Sequence, residues 1–132
     1  MANEYLRRTP TSTGNRRVWT WSGWVKFNQN KGQGLFGTLQ SGGINGFSFE
    51  FGSTGTFTLY DYSGDVVWQK TPNINIRDLS SWYHIVLSIN TTSSSGDDRV
   101  KIYINGVLLN NFTINNCYIV TKVIVFLSGI FV

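Results

Sequence analysis

The sequence predicts an all-β fold, an antiparallel two-sheet sandwich of the jelly-roll type, and three observations predict it. Aromatic residues make up 15% of the 132-residue chain, beside 14 Gly, 2 Pro and 1 Met, the balance of a sheet protein with many turns. Apolar and polar residues alternate over run after run, the period of a half-buried strand. No long stretch carries the helical period. The expectation is two sheets of roughly seven strands or more and no helix longer than about two turns. The length suits one core and one domain.

The elements follow in order. Residues 1–17 are polar and basic and read as a leading segment, so the domain proper is expected over 18–132. From Val18 the period is two: Trp19, Trp21, Gly23, Val25 and Phe27 share one face, while Val18, Thr20, Ser22, Trp24 and Lys26 share the other. That is a long strand with an apolar face and a second aromatic on its back. Asn28 to Gly34 is a turn, Leu35 to Leu39 a short strand, and Gln40 to Asn45 a Gly-rich turn. Phe47, Phe49 and Phe51 alternate with Ser48, Glu50 and Gly52. After the turn at Ser53-Thr54-Gly55, Phe57, Leu59 and Asp61 oppose Thr58, Tyr60 and Tyr62. Ser63-Gly64 then turns the chain into Val66 to Lys70, and Pro72 marks a crossing loop or edge strand.

The second half repeats the pattern. Tyr83, Ile85, Leu87 and Ile89 form one stripe; Trp82, His84, Val86 and Ser88 form the other. Thr92 to Asp98 reads as a flexible excursion. Val100, Ile102 and Ile104 alternate with Lys101 and Tyr103, Asn105-Gly106 signals a tight hairpin turn, and Val107 to Ile114 is expected to return as the partner strand. Tyr83, Ile85, Leu87, Ile89, Ile102 and Ile104 are the expected core.

Charge and cysteine content exclude several classes. Charged residues are 14% against the usual quarter or so, so solubility rests on Ser, Thr, Asn and Gln; coiled coils, charged helical bundles and highly charged tails are excluded. The net charge is +4. Arg7-Arg8 and Arg16-Arg17 would suit a phosphate- or sulfate-bearing partner or form a solvated basic edge. The remaining cations are scattered, so the clustered groove of a nucleic-acid binder is missing. Cys117 is the only cysteine, which excludes an intramolecular disulfide and a cysteine zinc site. No basic-then-apolar export signal opens the sequence.

Three segments carry a family resemblance: Trp21-Ser22-Gly23-Trp24-Val25-Lys26; Arg77-Asp78 running through Ser81-Trp82-Tyr83-His84-Ile85-Val86; and Val100-Lys101-Ile102-Tyr103-Ile104-Asn105-Gly106. In order and spacing they resemble the laminin-G-like, concanavalin A-like lectin/glucanase jelly rolls, over about residues 5–114. Arg8-Thr9-Pro10 with Gly14-Asn15-Arg16 is most similar to the versions in virion proteins of marine bacteriophages. The resemblance implies a non-catalytic recognition module on a virion, at the tail or capsid surface or otherwise facing the extracellular medium. Its partner would be a glycan or host-surface molecule. The alternative it leaves is a purely structural decoration or assembly protein. Trp24, Trp82, Tyr83 and Tyr103 match core or sheet positions of the pattern.

Candidate chemistry is sparse. Glycoside hydrolysis needs two carboxylates flanking the bond, and Glu4 and Glu50 lie far apart in sequence, while Asp61 and Asp65 flank a hairpin turn, where Asp is favoured. An enzyme is not expected. His84, the only histidine, reads as a sheet-face residue bonded to a neighbour. Calcium is the one cofactor the residues suggest, because the resemblance implies hard oxygen ligands; Asp97 and Asp98, or Asp61 with Asp65, would supply carboxylates, the alternative being solvated turn acids. Sugar rings stack their apolar C–H faces on aromatics, and Tyr60, Tyr62 and Trp68 stand near hairpin turns as candidate platforms. The alternative is that they pack across strands.

The end of the chain, Tyr118 to Val132, is apolar but broken by Lys122, Ser128 and Gly129. It is shorter than the roughly 20 residues a bilayer demands. Such a run of large apolar side chains is a solubility liability if exposed, so a homo-oligomeric contact or a contact with other virion proteins is expected through Ile124, Phe126, Ile130 and Phe131. The same run would also serve as a shortened closing strand of the chain's own sandwich.

Overall fold

The computed structural model describes residues 11–12, 14–15, 17–29, 31–39, 45–63 and 66–117. Within them lie two antiparallel sheets. The strands are β1 (Val18–Val25), β2 (Gln33–Leu39), β3 (Asn45–Phe51), β4 (Phe57–Ser63), β5 (Val66–Pro72) and β6 (Tyr83–Asn90); after a single helical turn α1 (Gly96–Arg99) come β7 (Val100–Ile104), β8 (Val107–Leu108) and β9 (Phe112–Asn115). One sheet runs β1-β6-β7-β8 and the other β2-β3-β4-β5-β9. The all-β sandwich expected from the alternation is the observed architecture.

The inner faces meet over an aromatic core. From the five-stranded sheet come Phe47, Phe49, Phe51, Phe57, Leu59 and Trp68; from the four-stranded sheet, Ile85, Leu87, Ile89, Val100 and Ile102. Phe27, just past β1, stacks on Phe51 with ring centroids 3.9 Å apart. Trp19 and Trp21 bridge the layers, meeting Phe47 and Phe49 edge-on at 5.7 and 6.0 Å. Edge-to-face contacts suit the positive rim of one ring to the negative face of the next. Of the expected core, Tyr83 and Ile104 are only half-buried. Tyr83 lies at the strand start, where its hydroxyl donates to the Asp78 carbonyl at 2.8 Å.

Three local findings refine the sequence reading. The Asn105-Gly106 turn forms as expected, with both residues at positive φ, 50° and 82°, the two left-handed centres of a type I′ hairpin turn. Val107 to Ile114 is not one returning strand. Val107 and Leu108 pair with β7, the Leu109 N–H adds one more bond to the Ile102 carbonyl, and the chain then crosses to the other sheet, where β9 pairs with β5. Asn110 and Asn111 interrupt the apolar alternation there, which frees the chain to leave the sheet. Thr92 to Asp98, expected as an excursion, is held by local bonds: Asn90 Oδ1 accepts from the Thr92 hydroxyl at 2.6 Å, and Arg99 Nε donates to the Ser93 carbonyl at 2.8 Å.

Candidate functional site

The outer face of the five-stranded sheet is polar and bonded into a network. Register sets Ser48 opposite Tyr60 and Tyr60 opposite Gln69, with Glu50 opposite Thr58. Alternation turns these side chains outward because Phe47, Phe49, Phe57 and Leu59 turn inward. The Tyr60 hydroxyl and the Ser48 hydroxyl both donate to Glu50 Oε1, at 2.6 and 2.7 Å. Burial, then the bond to Glu50, pushes the Tyr60 phenol above its ordinary range. Gln69 Nε2 donates to the Thr71 hydroxyl at 3.2 Å. Tyr62, half-buried, extends the same outward row. Both donors end on one carboxylate oxygen, which fixes Glu50 and leaves Oε2 as an acceptor.

Trp68 does not join them. It pairs with Asp61 on the inner face and is 0% exposed, so it cannot serve as a ligand platform. The physical reason is phase. Cross-strand partners share a face, and the inward set Phe57, Leu59 and Asp61 takes Trp68 with it. The shift in register between Asp61 and Tyr62 means that nearness to the hairpin turn did not set its direction.

The outer face of the four-stranded sheet carries the exposed aromatics. Trp24 is 66% exposed and Trp82 58%, although the sequence pattern placed both at core or sheet positions. Trp24 stands directly opposite His84, their ring centroids 5.0 Å apart. His84 Nε2 lies 2.9 Å from Ser22 Oγ, the neighbour bond expected of a sheet-face histidine. Trp82 lies immediately before β6. Tyr103 lies outward on β7, half-buried, opposite Val86. The signal was in the sequence: Trp24 occupies the same phase as Thr20, Ser22 and Lys26, the water-facing one.

A third feature is a cavity of about 310 Å³ at the open edge of the sandwich, lined among others by Lys70, Asp97, Asp98, Phe112 and Asn115. The two carboxylates named as calcium ligands both sit here. Asp98 pairs with Lys101 at 2.9 Å, which with the hydrogen bond it implies holds its carboxyl below the usual range. Asp97 accepts from Asn115 Nδ2 at 2.9 Å. Lys70 and Lys101 line the same cavity and offset the charge of the two carboxylates. Among the described residues no three His, Cys, Asp or Glu side chains converge as metal ligands. Asp61 is buried on the inner face. Glu4, Asp65, Ile124, Phe126, Ile130 and Phe131 lie outside the described residues. Among those described, no helix is long and apolar enough to cross a membrane.

A family model described as the Concanavalin A-like lectin/glucanases superfamily matches residues 2–123. The chain belongs to that superfamily. Neither the curated proteins nor the solved structures gave a match.

Proposed function

We propose that this concanavalin A-like domain is a non-catalytic recognition module that binds glycans on a host surface. Its setting is a phage virion, as an appendage of tail or capsid. The observation that carries the reading is the water-exposed indole of Trp24 beside His84 on the outer face of the four-stranded sheet, with a second exposed indole, Trp82, at the entry to β6. Rings this exposed add little to the core, and exposed aromatics next to hydrogen-bonding groups suit a binding surface. A pyranose offers an apolar C–H face to stack on an indole and hydroxyls for Ser22 and His84. The opposite face supplies a second set of polar partners in Glu50, Tyr60 and Tyr62.

Two features support the absence of catalysis and the virion setting. Glu50 is tied to Ser48 and Tyr60, and among the described residues no second carboxylate shares its outward face, so the paired acid and base of a glycosidase are missing there. The virion setting rests on the similarity of Arg8-Thr9-Pro10 and Gly14-Asn15-Arg16 to marine phage proteins. The second reading, a structural decoration protein that self-associates, draws on the same exposed surface, to which Val107 and Leu108 on the short edge strand β8 add apolar area.

The test is a glycan array probed with the wild type, Trp24→Ala and Trp82→Ala, with and without calcium. Binding that falls in both variants supports the reading. Silence across a broad array, together with a stable oligomer by light scattering that the same substitutions dissociate, would replace it with the structural one.

A further inference from the structure

Lys70 is a buried cation with spare hydrogen-bonding capacity. It faces inward from β5, opposite Leu59 and Asn115, and is 2% exposed. Its Nζ donates to the Val100 carbonyl at 2.7 Å and lies 4.2 Å from the centroid of the Phe112 ring. An ammonium has three donors, and one protein oxygen takes one of them. Among the described residues the ion pair within 4 Å is Lys101 with Asp98, so no described carboxylate pairs with Lys70. Asp97 and Asp98 attract this cation through space, but neither takes its spare donors, and a buried ammonium with donors unused is costly. Burial accordingly lowers the affinity of this amine for its proton.

Lys70 lines the cavity at the open edge of the sandwich. The cavity volume, about 310 Å³, falls at the small end of ligand pockets, which run from roughly 300 to 1,000 Å³, and suits one monosaccharide ring. Its lining is divided by chemistry. Lys70 supplies a cation, Phe112 an apolar wall, and Asp97 a carboxylate whose described bond is the one from Asn115. Asp98 is neutralised by Lys101. A neutral sugar offers the spare donors of Lys70 only uncharged acceptors. A bare inorganic anion would leave the acceptor oxygens of Asp97 unused. A ligand with a carboxylate at one end and vicinal hydroxyls at the other satisfies both walls.

We infer that this cavity seats a single acidic sugar residue, such as a uronic acid, with its carboxylate on Lys70 Nζ and its hydroxyls donating to Asp97. The inference rests on the glycan reading above and narrows it to acidic glycans, at a site separate from the Trp24 face.

The test is titration calorimetry with methyl glucuronide, methyl glucoside and acetate against the wild type, Lys70→Met, Asp97→Asn and Trp24→Ala. Lys70→Met keeps the length of the buried stem, and its melting curve checks the fold; Asp97→Asn alters an exposed residue and keeps the test open if Lys70→Met misfolds. Methyl glucuronide should bind the wild type about tenfold or more tighter than either comparator, lose that margin in Lys70→Met and Asp97→Asn, and keep it in Trp24→Ala. Equal affinity for glucuronide and glucoside, no detectable glucuronide binding, or a margin untouched by both cavity variants would overturn the inference. Array binding that depends on Trp24 would survive any of those results, so the two failures are distinguishable.

Discussion

Trp68 and Trp24 lie on opposite sides of the balance between packing and recognition, and replacing each with alanine separates the two roles. Trp68 is 0% exposed, in register with Asp61 and 6.0 Å from Phe47 by ring centroid. Truncating a buried Trp removes its transfer free energy and leaves a cavity, together about 3–5 kcal/mol. Each kcal/mol moves the midpoint by roughly 3–5 °C in a chain of this size. Trp68→Ala should therefore melt roughly 10–20 °C below the wild type. Trp68→Phe should lose much less, because the indole N–H is buried without a hydrogen-bond partner and its removal relieves an unpaired donor. Trp24, 66% exposed, has the His84 ring at 5.0 Å as its aromatic contact. An exposed aromatic pair contributes at most about 1 kcal/mol, so Trp24→Ala should melt within roughly 4 °C of the wild type. Differential scanning calorimetry at one pH and one protein concentration reads both. If Trp24→Ala proved as damaging as Trp68→Ala, the outer face would be covered in the folded protein and the reading of Trp24 as a water-exposed binding residue would fail. If Trp68→Ala were harmless, the inward phase of β4 and β5 would be reversed.

Two further predictions concern backbone and pH. Gly55 and Gly106 both hold positive φ, 78° and 82°, but a Cβ on Gly106 meets open space while one on Gly55 would lie 2.7 Å from the Ile76 carbonyl oxygen. Gly106→Ala should cost about 1 kcal/mol of backbone strain, and Gly55→Ala clearly more in urea denaturation; equal costs would mean that the loop yields freely. Burial pushes the Cys117 thiol from 9.0 up to about 11. The folded state then keeps a proton that the unfolded chain loses, so stability is full below about pH 9 and declines as pH rises toward about 11, by about 2–3 kcal/mol in all. Cys117→Ala should flatten that decline in the pH dependence of the melting point; an identical alkaline slope in the variant would assign it to other groups.

The fold was legible because burial imposes a rule that residues obey one by one. Phe47, Phe49 and Phe51, or Ile85, Leu87 and Ile89, alternate because one face must leave water, and a shift of one residue would expose them all. The Asn105-Gly106 turn was legible for a similar reason, since few residues accept two successive left-handed centres. Of the two readings of Trp68, platform or cross-strand packing, the structure takes the second, and nearness to a turn does not reveal it because the register shift between Asp61 and Tyr62 is a tertiary feature with no local composition. The split of Val107 to Ile114 between two sheets was hidden for the same reason: a run of β-formers states its preference for strand and says nothing of which edge it joins.

The candidate sites were less legible, and the cause is physical. Outward positions are free of the core's constraint, so a residue there is informative only when it breaks the polar habit of its phase. Trp24 among Thr20, Ser22 and Lys26 breaks it and could be found by that contrast; Tyr60, whose ring covers the sheet while its hydroxyl bonds Glu50, follows it and could not. Lys70 is the inverse case, a cation in the inward phase beside Trp68. With Trp68 facing inward, alternation turns Lys70 inward too, and burial of an ammonium predicts a demand for acceptors. The carbonyl of Val100 meets that demand in part, and that carbonyl comes from the other sheet, which sequence spacing does not reveal. A polar residue in the buried phase and an aromatic in the exposed phase are two forms of one signal: a side chain placed against its solvation preference at a cost that folding alone does not recover. In this chain the two forms mark different surfaces, the Trp24 face and the Lys70 cavity, and those are the surfaces where the binding experiments should divide.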